Sequence, residues 1–281
     1  VSNTYASVGM ADGVGDIEKR DMSGAAVANK LMENCKLYSE THRDCRDSHK
    51  ILSEGWRKIL LNKEVPKGST TACIASLMQT GDSSATLRTG LLDVMNLGNS
   101  NAMLIRNRTL KHRAREKMHG FNAPFQLAVP TSSDQSDFND SLADAVHERW
   151  DVKEGDILVM GTDGLFDNVF NSEICSIAGA LGRYEAPPDV FHYIPAIGKT
   201  LRSWLGLYVD VDISLMDPYK VTKKLAMLAF ERAYKENIET PFSYMLSSFL
   251  NETKRGGRPD DITVLVSRIV RRDELRRLTM F

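Results

Sequence analysis

Hydrophobic positions change their period along this chain, and the changes mark its elements. After Ser23, a residue suited to cap a helix, Val27, Leu31, Cys35 and Tyr38 recur at helical spacing; Leu52, Trp56, Ile59 and Leu60 do so in a second helix, and both stripes are expected to be core. From Lys67 the pattern turns to short apolar runs at 71–78, 87–97 and 102–106, broken by turn-rich segments at 80–84 and 98–101. Asn107-Arg108-Thr109 then reads as a tight turn into Leu110-Lys111-His112. Residues 5–11 are a further short strand candidate, 131–144 a polar surface loop, and Val146 resumes strand character. Ile157, Leu158, Val159 and Met160 have the length and composition of a buried strand that breaks at Gly161 into a loop. A helix is predicted over 172–181. Residues 182–218 mix Pro187, Pro188, Pro195 and Pro218 with apolar patches around Tyr193 and Trp204, and read as an insertion. Val221, Leu225, Leu228, Ala229 and Arg232 form another helical stripe, limited by Pro241; Ile262, Val264 and Val266 alternate with Thr263, Leu265 and Ser267 as a last strand. Strands joined by short links imply antiparallel sheet, and elements segregated into blocks imply an α+β fold across one domain, 1–281.

Composition narrows the function classes. The 281 residues, 42% hydrophobic, suffice for a substantial core. Thirty-six basic against 37 acidic residues give a net charge of −1, so no global field recruits nucleic acid or an anionic membrane. Cys35, Cys45, Cys73 and Cys175 form no C-x-x-C pair, which argues for reduced thiols and against zinc. The chain carries no apolar run of membrane-spanning length and no signal-peptide pattern at its first residues, so a soluble protein of a reducing intracellular compartment is expected; because residue 1 is not Met, a removed targeting segment stays open, and with it a mitochondrial as well as a cytoplasmic location. Asn107-Arg108-Thr109 matches the glycosylation pattern by chance in such a chain, and the basic tail 271–281 reads as a solvated end.

The candidate chemistry is acidic. The loop after Gly161 offers Asp163 and Asp167, with Gly164 letting the backbone turn between them; bringing two carboxylates together is unfavourable unless a cation lies between, and oxygen-only ligands suit Mg²⁺ or Mn²⁺. Asp-Gly is also ordinary turn chemistry, so this stretch alone decides nothing. Asp12-Gly13, after the first strand, and Asp260-Asp261, before the last, repeat the strand-and-acidic-turn arrangement, and layered sheets can converge such turns at one end. No EF-hand spacing is present, which removes a Ca²⁺-binding module.

Taken in order, ADGVG at 11–15, STTA at 69–72, NLGNS at 96–100, TDGLFDN at 162–168 and GGRPDDITVLV at 256–266 resemble the motif series of the metal-dependent protein phosphatase 2C family. The segments 112–127 and 241–270 are similar to its mitochondrial or T-cell branch. The resemblance implies a four-layer sandwich, two antiparallel sheets face to face with helices outside, and a pair of Mn²⁺ or Mg²⁺ ions at one edge. By that resemblance Asp12 would bridge both ions, Gly13 would offer its carbonyl, and Asp163 and Asp260 would complete the ligands, making Asp12, Asp163 and Asp260 the catalytic set. A water between the metals would attack phosphorus, which fits the lack of any nucleophile-elbow motif or activated cysteine in the sequence. Asp163 and Asp167 would hold a third ion in relatives, but Asn99 replaces the family's aspartate there, so that ion is expected to be weak or absent. Val14 stands for a histidine of many members, Asp16 for a glycine, and only 11 residues precede Asp12, where the family has a phosphate-gripping arginine. The expectation is a monomeric serine/threonine protein phosphatase with a phosphoprotein substrate, 182–218 acting as a flap; the alternative is a pseudophosphatase scaffold that binds without turnover.

Overall fold

The stripe of α1 (Ser23–Thr41) buries Val27, Leu31 and Cys35 against α2 (Ser48–Asn62), whose own stripe is Ile51, Leu52, Trp56 and Ile59. The computed structural model describes residues 6–15, 23–78, 89–130, 140–179 and 218–270. Asp47 caps α2 by accepting from the Lys50 amide at 2.9 Å, and Lys63, in the left-handed region at φ 50°, ends it. Leu60 departs from expectation: next in sequence to Ile59, it turns 100° off the stripe and is exposed.

Two four-stranded antiparallel sheets form the centre. One runs β1 (Ser7–Met10), β4 (Ala72–Met78), β5 (Thr89–Leu97), β11 (Val146–Lys153); the other runs β13 (Val264–Arg268), β12 (Ile157–Gly161), β6 (Asn101–Arg106), β7 (Thr109–Arg113). The β6–β7 turn is the predicted one, with Asn107 and Arg108 both at positive φ (49° and 60°), as the twist of a two-residue hairpin requires. A small ribbon of β2 (Gly13–Val14), β3 (Ser69–Thr70) and β10 (Leu127–Ala128), and a hairpin of β8 (Met118–Gly120) with β9 (Ala123–Pro124), close one end.

Side-chain alternation assigns each face. Ala102, Leu104, Leu158 and Met160 meet Met10, Cys73, Ala75, Leu92 and Val94 between the sheets. Their neighbours Met103, Ile105, Ile157 and Val159 point the other way, under α3 (Asp163–Phe166), α4 (Asn171–Ala178) and α5 (Pro218–Ala233). Ile74, Met95 and Leu97 pack under α1 and α2. A strand covered on both faces must be apolar throughout, which is why 157–160 is an unbroken run. The layers are therefore helix, sheet, sheet, helix, the expected α+β sandwich.

Two boundaries differ from the sequence reading. Pro241 does not limit α5, which stops at Ala233; it occupies the first turn of α6 (Pro241–Leu250), where its missing N–H costs nothing and Thr240 caps by accepting from Ser243 N at 3.1 Å. The last strand starts at Val264 rather than Ile262, although Ile262, Val264 and Val266 do share the face turned to α5 and Leu265 the opposite one. Asp16, the segments 80–84 and 131–139, the insertion over 182–217 and the tail 271–281 lie outside the described residues.

Candidate active site

Asp12 is presented by its backbone. It lies between β1 and β2, and its carbonyl accepts from Thr71 N at 2.8 Å and from the Thr70 hydroxyl at 2.9 Å, while its amide donates to the Thr71 hydroxyl at 3.3 Å. Thr71 Oγ1 also lies 2.8 Å from Ser100 Oγ, so the 69–72 and 96–100 motifs meet behind Asp12. Gly13 is required by close approach: a Cβ there would strike the Gly24 and Ala25 backbone at the start of α1. The site thus draws its first acid from a strand pair pinned by two threonines.

Asp163 does not sit in a loop, as its Asp-Gly sequence suggested. Thr162 has extended backbone and is the N-cap of α3, so Asp163 is the first helical residue and Asp167 follows one turn later on the same face. Thr162 is tied to the far end of the chain, its hydroxyl donating to Asp261 O at 2.9 Å and accepting from Thr263 N at 3.1 Å. Asn168 makes the tie rigid: its amide donates to Gly164 O at 3.0 Å and Arg258 O at 2.8 Å, and its carbonyl accepts from Arg258 N at 2.9 Å. A side chain at Gly164 would collide with the Asp261 carbonyl, so glycine lets the 258–261 loop lie directly on α3.

These contacts bring Asp12, Asp163, Asp167 and Asp260 to one end of the sandwich. Asp12 is within hydrogen-bonding reach of Asp163, and its carboxyl is pushed up to about 8 by burial, then by the charges of Asp163, Asp260 and Asp261. Asp167 is pushed up to about 7 by burial and Asp163, with Arg258 opposing. Asp260 is raised by burial and Asp163, again against Arg258.

Arg258 is the residue that sequence reasoning missed. Its guanidinium donates through one nitrogen to Asp163 Oδ2 at 2.9 Å and Asp167 Oδ2 at 2.5 Å, and its other terminal nitrogen lies 2.9 Å from Asp260 Oδ2. Burial works against its charge, but the three carboxylates outweigh burial and raise its pKa further. The signal was in view, an arginine two residues before a candidate ligand, yet nothing local says that it folds back. Asn99 donates its side-chain amide to Asp163 Oδ2 at 2.9 Å. The other oxygen, Asp163 Oδ1, is buried without a hydrogen-bond partner.

Whether the donors fit a metal follows from this division. Among the described residues no three His, Cys, Asp or Glu groups are spaced as a finished cage. Arg258 engages Asp163 Oδ2, Asp167 and Asp260, whereas Asp163 Oδ1 makes no hydrogen bond. This unpartnered carboxylate oxygen and the Asp12 carboxyl, raised by burial and then by its acidic neighbours, are all-oxygen donors of a kind that, once Asp12 loses its proton, fits a hard divalent cation.

No family model matches the sequence. The observation that decides the family is a relative: over 265 residues the chain is 32% identical to the Homo sapiens protein phosphatase PTC7 homolog, covering 92% of this chain and 74% of the human protein. The chain belongs to the PTC7-like protein phosphatases of the PPM, or phosphatase 2C, family. A Drosophila willistoni relative, the PTC7 homolog fig, is 30% identical over 264 residues, 93% of this chain and 72% of its own. Among solved structures, the photosystem II phosphatase PBCP matches with a TM-score of 0.65 at 23% identity over 94% of this chain and 87% of that one. The catalytic domain of the serine/threonine phosphatase PstP, solved with two manganese ions, matches at 0.50 and 14% identity over 96% and 94%. These likenesses show the shared fold.

This PTC7-like chain is accordingly a protein phosphatase by family, with phosphoproteins as its substrate class. Of the positions expected from the resemblance, Asp12, Gly13, Asp163, Asp167, Asp260 and Asn99 fall at one end of the sandwich; Val14 lies in β2 paired with Ser69. A cleft of about 220 Å³ opens from this end, lined by Asn99, Arg113, Asp163, Asp167, Phe121 and Phe242 among others.

Proposed function

We propose that this phosphatase hydrolyses phosphoserine and phosphothreonine with a water activated by Mn²⁺ or Mg²⁺ ions, which Asp12, the Gly13 carbonyl, Asp163 and Asp260 would hold. The observation that carries the reading is a buried Asp163 with one oxygen, Oδ1, lacking any hydrogen-bond partner, in side-chain contact with an Asp12 carboxyl pushed up to about 8 by burial and then by its acidic neighbours. Two acids packed together under burial are stabilised by a cation, and oxygen donors select a hard one. When bound, the divalent ions supply an acidified water as nucleophile and offset charge developing on the phosphoryl oxygens.

The chain's own part is positioning. Thr70 and Thr71 fix the Asp12 backbone, and Asn168 fixes α3 against the loop that carries Asp260, so the acids keep their places as charge develops. The phosphorylated side chain enters the cleft beside Asn99 and Arg113; the guanidinium, braced by Asn171 Oδ1 at 3.0 Å and Glu116 at 2.5 Å, is a cation at the phosphoryl group's approach. Its apolar wall, Phe121 and Phe242, suits a protein segment around the phosphorylated residue.

A scaffold that binds a partner without turnover is the second reading, favoured by one observation: Arg258 already satisfies Asp163 Oδ2, Asp167 and Asp260. Turnover of a small aryl phosphate and of a phosphothreonine peptide, with Mn²⁺ and with EDTA, separates the two. Catalysis requires a rate that EDTA abolishes, and Asp12→Ala and Asp163→Ala should each lower it roughly a hundredfold or more. If a chain with Mn²⁺ bound shows no metal-dependent rate, or both variants keep the parental rate, the catalytic reading fails. We further propose a monomer; a reducing intracellular compartment is supported by the free thiols of Cys35, Cys45, Cys73 and Cys175, and the lack of a nucleic-acid or anionic-membrane partner by the net charge of −1.

A further inference from the structure

We infer that Arg258 is a resident cation of this active site: its guanidinium stands between Asp163 and Asp167 in place of an additional metal ion and positions both carboxylates for the metal-binding side of the centre. The inference rests on the proposed reading of Asp12 and Asp163 as ligands.

The two oxygens of Asp163 divide the work. Oδ2 accepts from Asn99 Nδ2 and from Arg258, both at 2.9 Å, whereas buried Oδ1 has no partner. The same Arg258 nitrogen reaches Asp167 Oδ2 and the other terminal nitrogen reaches Asp260 Oδ2, so one planar group braces three acids. A metal ion at that place would need lone pairs from every neighbour, and Asn99 presents an N–H instead. A guanidinium needs the opposite, acceptors arranged about a fork of donors, and finds them.

The placement is built. Both backbone polar groups of Arg258 are bonded to Asn168, its side chain is four-fifths buried, and its guanidinium carbon lies 5.3 Å from the centre of the Phe242 ring. A side chain held at its backbone, on its face and by three partners keeps a permanent positive charge that chelators do not remove. It leaves Asp163 Oδ1, the Asp12 carboxylate and Asp260 Oδ1 to the exchangeable ions. Arg258 is thus a positioning residue, and Asn99 is matched to it as a donor.

The test compares metal-free thermal unfolding and the number of Mn²⁺ ions bound, by equilibrium dialysis, in the full chain and four variants. Arg258→Ala should lower the melting temperature in EDTA by on the order of 5–10 °C, because three acids lose their shared cation. Arg258→Lys should recover part of the loss, since a point charge cannot reach all three. Asn99→Asp should bind as many ions as the parent, with Arg258 still in place, and Asn99→Asp combined with Arg258→Ala should bind one more. The inference is overturned if Arg258→Ala leaves metal-free melting unchanged, or if the double variant binds no extra ion. It is overturned equally if Arg258→Ala tightens Mn²⁺ binding tenfold or more, because the guanidinium would then be blocking the ions. If the parent binds no Mn²⁺ at millimolar concentration, the metal-dependent reading fails separately, and the melting comparison, which involves no metal, still decides whether Arg258 braces the acids.

Discussion

Titrating Mn²⁺ into the metal-free protein at pH 7 should expel close to one proton, and Asp12 is its source. Burial and the charges of Asp163, Asp260 and Asp261 push the Asp12 carboxyl up to about 8. A group titrating there is about 90% protonated at pH 7, and a carboxylate must be deprotonated to take a metal, so binding releases about 0.9 proton per chain. With the ordinary carboxyl value of 3.8 the release would be about a thousandth of a proton. Raising the pH to 9 should cut it to about 0.1, and apparent Mn²⁺ affinity should fall about tenfold for each pH unit below 8. Calorimetric titrations in buffers of different ionisation enthalpy measure the proton count directly, and Asp12→Asn should lose it. Release below about 0.2 proton at pH 7 with Mn²⁺ bound, or release independent of pH, would refute the assignment of Asp12 as a buried ligand. Asp167 and Asp260 are raised as well, so a release clearly above one proton would show that the ions take a second carboxyl in addition to Asp12.

Three further outcomes follow from the geometry. Without metal, stability should fall as pH rises from about 4 to about 8: Asp12, Asp167 and Asp260 have folded-state pKa values above their unfolded ones, so the folded protein binds more protons across that window, and melts in EDTA that stay flat or rise would contradict the sign. Asn168→Ala leaves Gly164 O, Arg258 O and Arg258 N without their buried partner and should cost about 2–4 kcal/mol in denaturant unfolding, a loss under about 1 kcal/mol counting against the tie. Gly164→Ala forces a methyl onto the Asp261 carbonyl and should cost about 1–3 kcal/mol while lowering turnover, since the loop it displaces carries Arg258 and Asp260; parental stability and turnover together would show that the loop has room.

The sequence by itself determined the elements and the candidate ligands. Helical stripes such as Val27-Leu31-Cys35 and apolar runs such as 157–160 are set by local burial needs, and among the described residues the strand pairings are antiparallel, by a short link in β6–β7 but by long-range packing in β1–β4 and β12–β13. The acidic turns around Asp12, Asp163 and Asp260 were legible because strand ends of packed sheets leave few other uses for repeated carboxylates, and because five motifs occur in order. Leu60, Pro241 and the helical start at Asp163 were misread at element edges, where one residue of phase or a capping threonine decides. Only the tertiary structure decided the roles of Arg258 and Asn99. Their direction is fixed by partners far away in sequence: Asn168 holds the Arg258 backbone across 90 positions, and Asp163 receives Asn99 across 64. Local pattern carries no information about such contacts, because a side chain in a turn points wherever the long-range hydrogen bonds of its backbone aim it. The sequence therefore named the acids, and the packing of α3 against the 256–261 loop decided which of their oxygens a guanidinium takes and which are left for a metal.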